Sequence, residues 1–308
     1  MRENKLLVGI NIDPSAATTD LAFQLAELAD ADYDLIAVQD HPYNPAFLDT
    51  WTLLTALAMR TKRVAFTPNV ANLGLRSPAM LYRAATSLQV LSGGRVILGV
   101  GAGASEAAVT RFGGPRFESA RAMGDAFAEA LAVLARLQRA TPAPVSVGGI
   151  YHRLERAQFG PLPAAPVPIW VGAVRDRGLR LTGTYTDGWL CPLNVYVPPP
   201  MVAERQQAID TAATAAGRDP RTVRRMYNVI GMVTPGGAGS ETPGRPLVGP
   251  PQFWVDRLSA YVNELGFDGF IFWPAQQPKD QAELFASVEV TDWVFDMQDG
   301  HLVPLFFR

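Results

Sequence analysis

Short apolar runs of strand length alternate with longer stretches whose apolar residues recur at three- and four-residue spacing, and this alternation repeats along the chain. Leu6 to Asn11 reads as a first strand, followed by a helical stretch from Thr19 to Ala29. Tyr33 to Gln39, Arg63 to Pro68 and Arg95 to Val100 read as the next three strands. Helical sequence from Leu48 to Met59, Pro78 to Leu91 and Glu118 to Gln138 follows them in turn. Ser77-Pro78 is a strong helix start, because serine caps free N–H groups and proline at the first position has no N–H to leave unpaired.

The second half keeps the rhythm after an excursion at 142–166. There Val145 to Val147 and Tyr151 to Leu154 read as a hairpin around Gly148-Gly149. Strands are predicted at Pro168 to Gly172, Gly188 to Pro192, Arg224 to Val233 and Asp268 to Trp273. Their helices are predicted at Asp176 to Thr184, Met201 to Ala216, Gln252 to Leu265 and Lys279 to Val288. Eight strand–helix units predict an α/β fold: a (β/α)8 TIM barrel, one domain over 1–308, with insertions after strands 4 and 7. A doubly wound sheet is the structural rival, but no shift in composition marks a second domain. The Gly- and Pro-rich stretch from Thr234 to Pro251 is either a lid over the catalytic face or a disordered insertion without function. The tail, with Leu305-Phe306-Phe307, is expected to pack on the barrel or on a partner subunit.

Composition narrows the function classes. The chain has 308 residues, 48% of them hydrophobic and 18% charged, enough for a large core. A net charge of -2 gives no electrostatic reason to expect nucleic acid or anionic lipid, and the apolar runs break before they could span a bilayer. No signal-peptide pattern precedes the first strand, so a soluble cytoplasmic protein is expected. One cysteine and three histidines leave little for a metal centre, and no catalytic metal is expected.

In a barrel of this kind the chemistry sits at the C-terminal ends of the strands. Asp40-His41 closes the second strand. A histidine there can move a proton near neutral pH, with the carboxylate holding its tautomer or raising its pKa. Equally, both can simply bond loop backbone. Gly101-Ala102-Gly103 and Gly172-Ala173-Val174-Arg175 end the fourth and fifth strands in small residues. Such loops let a ligand approach the backbone and expose N–H groups to anions, though glycines also serve tight turns. Arg175, at a helix start, is either a phosphate contact or a solvated arginine. Asn11 and Trp273, ending the first and last strands, are the candidates to face a small-molecule substrate.

Several motifs resemble one family in order: Val38-Gln39-Asp40-His41-Pro42, Trp51-Thr52-Leu53-Leu54-Thr55-Ala56-Leu57-Ala58, Arg76-Ser77-Pro78, and Leu91-Ser92-Gly93-Gly94-Arg95-Val96-Ile97-Leu98-Gly99-Val100-Gly101-Ala102-Gly103. Pro168-Ile169-Trp170-Val171-Gly172-Ala173 and Asp187-Gly188-Trp189 continue the match. Together they are similar to the luciferase-like flavin-dependent oxidoreductases over about residues 5 to 290. The resemblance implies reduced FMN or the deazaflavin F420 lying across the strand ends. In the F420-dependent branch it places Asp40 and His41 beside the ring, with the histidine acting on a proton. It also implies a non-prolyl cis bond at Asn69–Val70, with Ala71 following, behind the ring, and the phosphate-bearing tail at the loops of Gly101 to Gly103 and Gly172 to Arg175.

The sugar-phosphate dehydrogenases of that family carry a glutamate after the strand-four glycines. Ala104 stands nearest here, with Glu106 two further on, so that substrate is not expected. The Asp-His pair and the arginine-rich, lysine-poor composition of a GC-rich genome favour an F420-dependent oxidoreductase. The alternatives are an FMN-dependent monooxygenase and a flavin-binding barrel without turnover. The resemblance further implies a homodimer formed through helices of the first half.

Overall fold

The computed structural model describes residues 6–103, 106–288, 295–298 and 301–304. Its first strands are β1 (Leu7–Ile12), β2 (Leu35–Val38), β3 (Ala65–Pro68), β4 (Ala71–Asn72) and β5 (Leu98–Gly101). Among them lie α1 (Thr19–Asp32), α2 (Thr50–Ala58) and α3 (Pro78–Leu91). After β5 come α4 (Glu106–Arg111), α5 (Ala120–Gln138) and a hairpin of β6 (Val145–Val147) and β7 (Leu154–Ala157). The alternation resumes with β8 (Ile169–Val171), α6 (Asp176–Tyr185), β9 (Gly188–Cys191), α7 (Val202–Ala215) and β10 (Arg224–Val233). It closes with β11 (Leu247–Gly249), α8 (Pro251–Leu265), β12 (Gly269–Pro274) and α9 (Pro278–Ala286), followed by a small antiparallel pair, β13 (Phe295–Gln298) and β14 (His301–Pro304).

The sheet runs β3-β2-β1-β12-β10-β9-β8-β5-β4, all parallel. Its two ends meet where Phe66 N–H donates to the Arg95 carbonyl at 2.8 Å and Ile97 N–H donates to the Phe66 carbonyl at 2.9 Å. The sheet is therefore rolled into the expected barrel. The third barrel strand is split: β3 pairs with β2, β4 pairs with β5, and Asn69 and Val70 lie between them. Arg95 to Ile97, expected as the start of a regular strand, instead forms this seam.

Strand alternation sorts the apolar residues into two cores. Leu35, Ala37, Trp170, Leu190, Met226 and Ile271 fill the barrel interior. The residues between them, such as Ile36, Val38, Ile169, Val171 and Tyr227, join the larger core under the helices. Helix ends follow local chemistry. Ser77 caps α3 by accepting from Met80 N–H, with Pro78 behind it, and Ser119 caps α5 by accepting from Ala122 N–H.

Two expectations need correction. The second arm of the hairpin is Leu154–Ala157, not Tyr151 to Leu154. The Glu129 carboxylate accepts the N–H groups of Ile150, Tyr151 and His152 at 3.0, 2.7 and 2.9 Å, which turns that stretch into a carboxylate-held tip. The stretch from Thr234 to Pro251 is also not a structureless insertion. β11 adds in parallel to β10, and Ser240 N–H donates to the Val248 carbonyl at 2.7 Å. Glu241 accepts from Tyr261 Oη and Arg257, while Phe253 packs against Gly239 and Gly249. Smaller differences are a residue or three at element ends, where hydrogen bonding trims an apolar run.

Candidate active site

The C-terminal ends of β2, β4, β5 and β8 surround a cavity of about 520 Å³, within the range of small-molecule sites. Asp40, His41, Asn69, Val70, Ala71, Gly101, Ala102, Gly103, Gly172, Ala173, Val174 and Arg175 all line it. Asn69–Val70 is a cis peptide bond. Val70 stands between the two glycine strand ends: a Cβ on Gly101 would lie 2.8 Å from one Val70 methyl, and a Cβ on Gly172 3.0 Å from the other. At Gly103, φ is +93°, and a Cβ would meet the Asn72 amide oxygen at 2.7 Å. These three glycines are thus required by close approach of the chain to itself.

Asp40 and His41 are neighbours in sequence with opposite surroundings. Asp40 is 2% exposed and accepts from Asn72 N–H and Arg76 Nε, both at 3.4 Å. Arg76 also pairs with Asp49 at 2.5 Å. Burial alone would raise the Asp49 carboxyl, but the Thr52 N–H and the Arg76 guanidinium overcome it and hold the carboxyl below its ordinary value. His41 is exposed at the rim and stacks on Tyr43, with ring centroids 5.3 Å apart. Partial loss of solvent lowers its pKa, outweighing the attraction of Asp40 and Asp13. The carboxylate thus serves Arg76 and the β4 backbone, and its upward pull on the histidine, the direction expected for the pair, is outweighed by desolvation.

Opposite, the Gly172–Arg175 loop leads into α6, whose N-terminus has no side-chain cap. Its first-turn N–H groups and dipole suit an anion. Arg175 is exposed and makes no side-chain hydrogen bond or ion pair among the described residues. Arg177 lies deeper. It pairs with Asp125, donates to the Arg121 carbonyl at 3.1 Å, and rests on Gly124, clamping α6 to α5.

Asn11 and Trp273 do not line this cavity. Trp273 Nε1 donates to Asn228 Oδ1 at 2.8 Å, and Asn69 Nδ2 donates to the same oxygen at 2.6 Å. Asn228 Nδ2 in turn donates to the Cys191 carbonyl at 2.8 Å. Trp273 therefore reaches the cavity wall only through a buried amide. Asn11 is 7% exposed, and its amide oxygen is buried without a hydrogen-bond partner. Cys191, at another strand end, is buried, which pushes its thiol well above the ordinary range and away from reactivity.

Sequence reasoning missed Tyr43 and Arg177, and the α5 face of Ala120, Met123, Gly124 and Phe127. The signal for α5 was an apolar stripe that reads as ordinary core. Ala104 and Ser105 lie outside the described residues, as do Leu305, Phe306 and Phe307. Among the described residues, no three His, Cys, Asp or Glu side chains gather as a metal site, and no helix is long and apolar enough to cross a membrane.

A flat ring with a phosphate-bearing tail fits these residues: alanine and glycine walls at one end, an uncapped helix start and an arginine at the other. The fold and site define a (β/α)8 barrel with a ligand-sized cavity at its strand ends. The chain belongs to the luciferase-like monooxygenase family, whose model matches residues 10–237. A phthiodiolone/phenolphthiodiolone dimycocerosates ketoreductase of Mycobacterium kansasii is 36% identical over 201 residues, 64% of this chain and 52% of that protein. An F420-dependent hydroxymycolic acid dehydrogenase of Mycobacterium tuberculosis is 30% identical over 187 residues, 59% of this chain and 49% of that protein. The chain spans about half the length of these curated relatives.

Among solved structures, an F420-dependent secondary alcohol dehydrogenase in complex with an F420-acetone adduct has a TM-score of 0.80 at 19% identity, over 92% of this chain and 98% of that one. EDTA monooxygenase from Chelativorans sp. BNC1 has a TM-score of 0.78 at 16% identity, over 93% of each chain. These two likenesses concern the fold.

Proposed function

We propose that the protein is an F420-dependent oxidoreductase that exchanges a hydride with a ketone or the corresponding secondary alcohol. The observation that carries this reading is the placement of His41 at the rim of a cavity walled by glycine and alanine, whose far end offers N–H groups and Arg175 to an anion. F420, when bound, supplies the hydride donor or acceptor at its C5 and does not readily activate oxygen. Val70 and the glycine ends of β5 and β8 would support the ring, and the Gly172–Arg175 loop would hold the phosphate. His41 Nδ1 or Nε2 would accept the hydroxyl proton of an alcohol, or return it to a ketone. Asp40 fixes the strand end by holding Arg76 and the Asn72 N–H. The names of the curated relatives, a ketoreductase and an F420-dependent dehydrogenase, support both the cofactor and the substrate class.

An FMN-dependent monooxygenase is the second reading, favoured by the description of the matching family as luciferase-like monooxygenases. That chemistry needs water kept from a reactive intermediate. The stretch 234–251 is tied to β10 and α8, and none of its residues lines the cavity, which supports the dehydrogenase reading. We also read the protein as a homodimer through its first-half helices, which expose Met59, Met80, Val90 and Leu91. Sedimentation of Met80→Glu and Leu91→Glu variants tests this, with a shift to monomer expected.

The test is turnover of F420 with secondary alcohols, and of reduced F420 with ketones, by wild type and His41→Ala. Wild type should turn over. The variant should bind F420 normally and lose about 10²–10⁴-fold in kcat. Unchanged turnover in the variant sinks the role given to His41.

A further inference from the structure

A second, smaller space of about 80 Å³ lies beside the main cavity, between α5, the tip of the β6–β7 hairpin and the loop after β4. The two share Ala102, Met123 and Phe127 as walls. Leu73, Phe117, Ala126 and Ala130 make the rest of the small chamber apolar. Among the described residues, no carboxylate, lysine or arginine lines it. His152 is the single ionisable imidazole there, and burial keeps its pKa below the ordinary value despite the pull of Glu129.

The outer wall is fixed in place. Glu129, on α5, takes the N–H groups of Ile150, Tyr151 and His152. Gly149 fits that turn only as glycine, since a Cβ would lie 2.4 Å from the His152 carbonyl and 2.6 Å from the Glu129 carboxylate. The same turn sets Tyr151 edge-on to Phe117, with centroids 5.9 Å apart at 69°. The chamber is thus bounded by a held turn and an aromatic pair, and its partition from the main cavity contains Met123, an unbranched side chain that can change rotamer.

We propose that this chamber receives an unbranched alkyl arm of the substrate, extending from the main cavity past Met123. The inference rests on the reading of the main cavity as the site of ring and reacting carbon. A chamber whose described lining carries no fixed charge rewards methylenes by removing them from water, and it ends at Phe117 and Tyr151, so the reward stops at a set length.

The probe is a series of 2-alkanones from butan-2-one to decan-2-one, titrated calorimetrically into the full chain without cofactor. Affinity should rise roughly three- to fourfold per methylene and then level off. Ala126→Leu, which fills the chamber from α5 and does not touch the main cavity, should flatten the rise. Phe117→Ala, on a loop, should move the levelling point to longer chains. Affinity independent of chain length, or the same levelling point in wild type and Phe117→Ala, overturns the proposal. If Ala126→Leu does not fold, as judged by circular dichroism, the Phe117→Ala comparison decides alone. Cofactor titration is a separate readout: an intact chain-length series without F420 binding keeps the chamber and rejects the dehydrogenase reading, while F420 binding with a flat series does the reverse.

Discussion

The two sides of the barrel are built from different residues. On the side of β4, β5 and β8 the strand ends carry Gly101, Gly103 and Gly172 with Ala71, Ala102 and Ala173, and the space they leave is the main cavity. On the side of β10 and β12 the packing is aromatic. Phe272 stacks on Phe285 with centroids 4.1 Å apart, and Trp254 meets both edge-on at 5.5 and 5.4 Å. Tyr227 stacks on Phe267 at 4.5 Å. One side gives up side-chain volume to make room, and the other supplies close packing. Asn228 joins them, since its amide oxygen holds Asn69 from the first side and Trp273 from the second.

This division can be broken at chosen positions. Trp254 is fully buried, so Trp254→Ala should lower unfolding free energy by about 3–5 kcal/mol in denaturant titrations. Affinity for F420 in the folded fraction should stay unchanged. Asn228→Ala leaves Trp273 Nε1 and Asn69 Nδ2 without their shared acceptor, and about 1–3 kcal/mol of stability should be lost. Here stability and F420 affinity should fall together, because Asn69 also lines the cavity. Gly101→Val drives a side chain into Val70 and should weaken F420 binding by about tenfold or more, with a smaller change in melting temperature.

The mildest perturbation is pH. Partial desolvation at the rim lowers His41 from an ordinary 6.5, so its proton-accepting form persists as pH falls through that value. Alcohol oxidation should therefore hold its kcat/KM down to pH 6.5 and decline only below it. A decline already complete at pH 7 would mean that the carboxylates, not burial, control the imidazole. The sign for stability is the same: a histidine held neutral in the folded chain loses stability as acid forces a proton on it, below the unfolded value.

The barrel was legible because its signal is local. Apolar runs and the Ser77-Pro78 start each lie within a few residues, and Gly93 and Gly94, just past α3, adopt positive φ. The small-residue loops were legible for the same reason, since Gly101 and Gly172 end strands in plain view. What stayed hidden depends on partners far along the chain. Asp40 finds Arg76 across 36 residues, Asn69 finds Asn228 across 159, and Glu129 reshapes the hairpin tip 21 to 23 residues away. β11 reads as loop because its three residues count as strand only beside β10. The α5 wall was hidden for another reason: Met123 and Phe127 follow the same helical period whether they face a core or a cavity.

The central claim is that the space between β5, α5 and β8 holds a deazaflavin. Equilibrium titration of the purified full chain with F420 and with FMN, each oxidised and reduced, tests it most directly. Saturable F420 binding, weakened by Gly101→Val and untouched by Trp254→Ala, is the expected result. Tight binding of FMN with none of F420, or F420 binding indifferent to Gly101→Val, would contradict it.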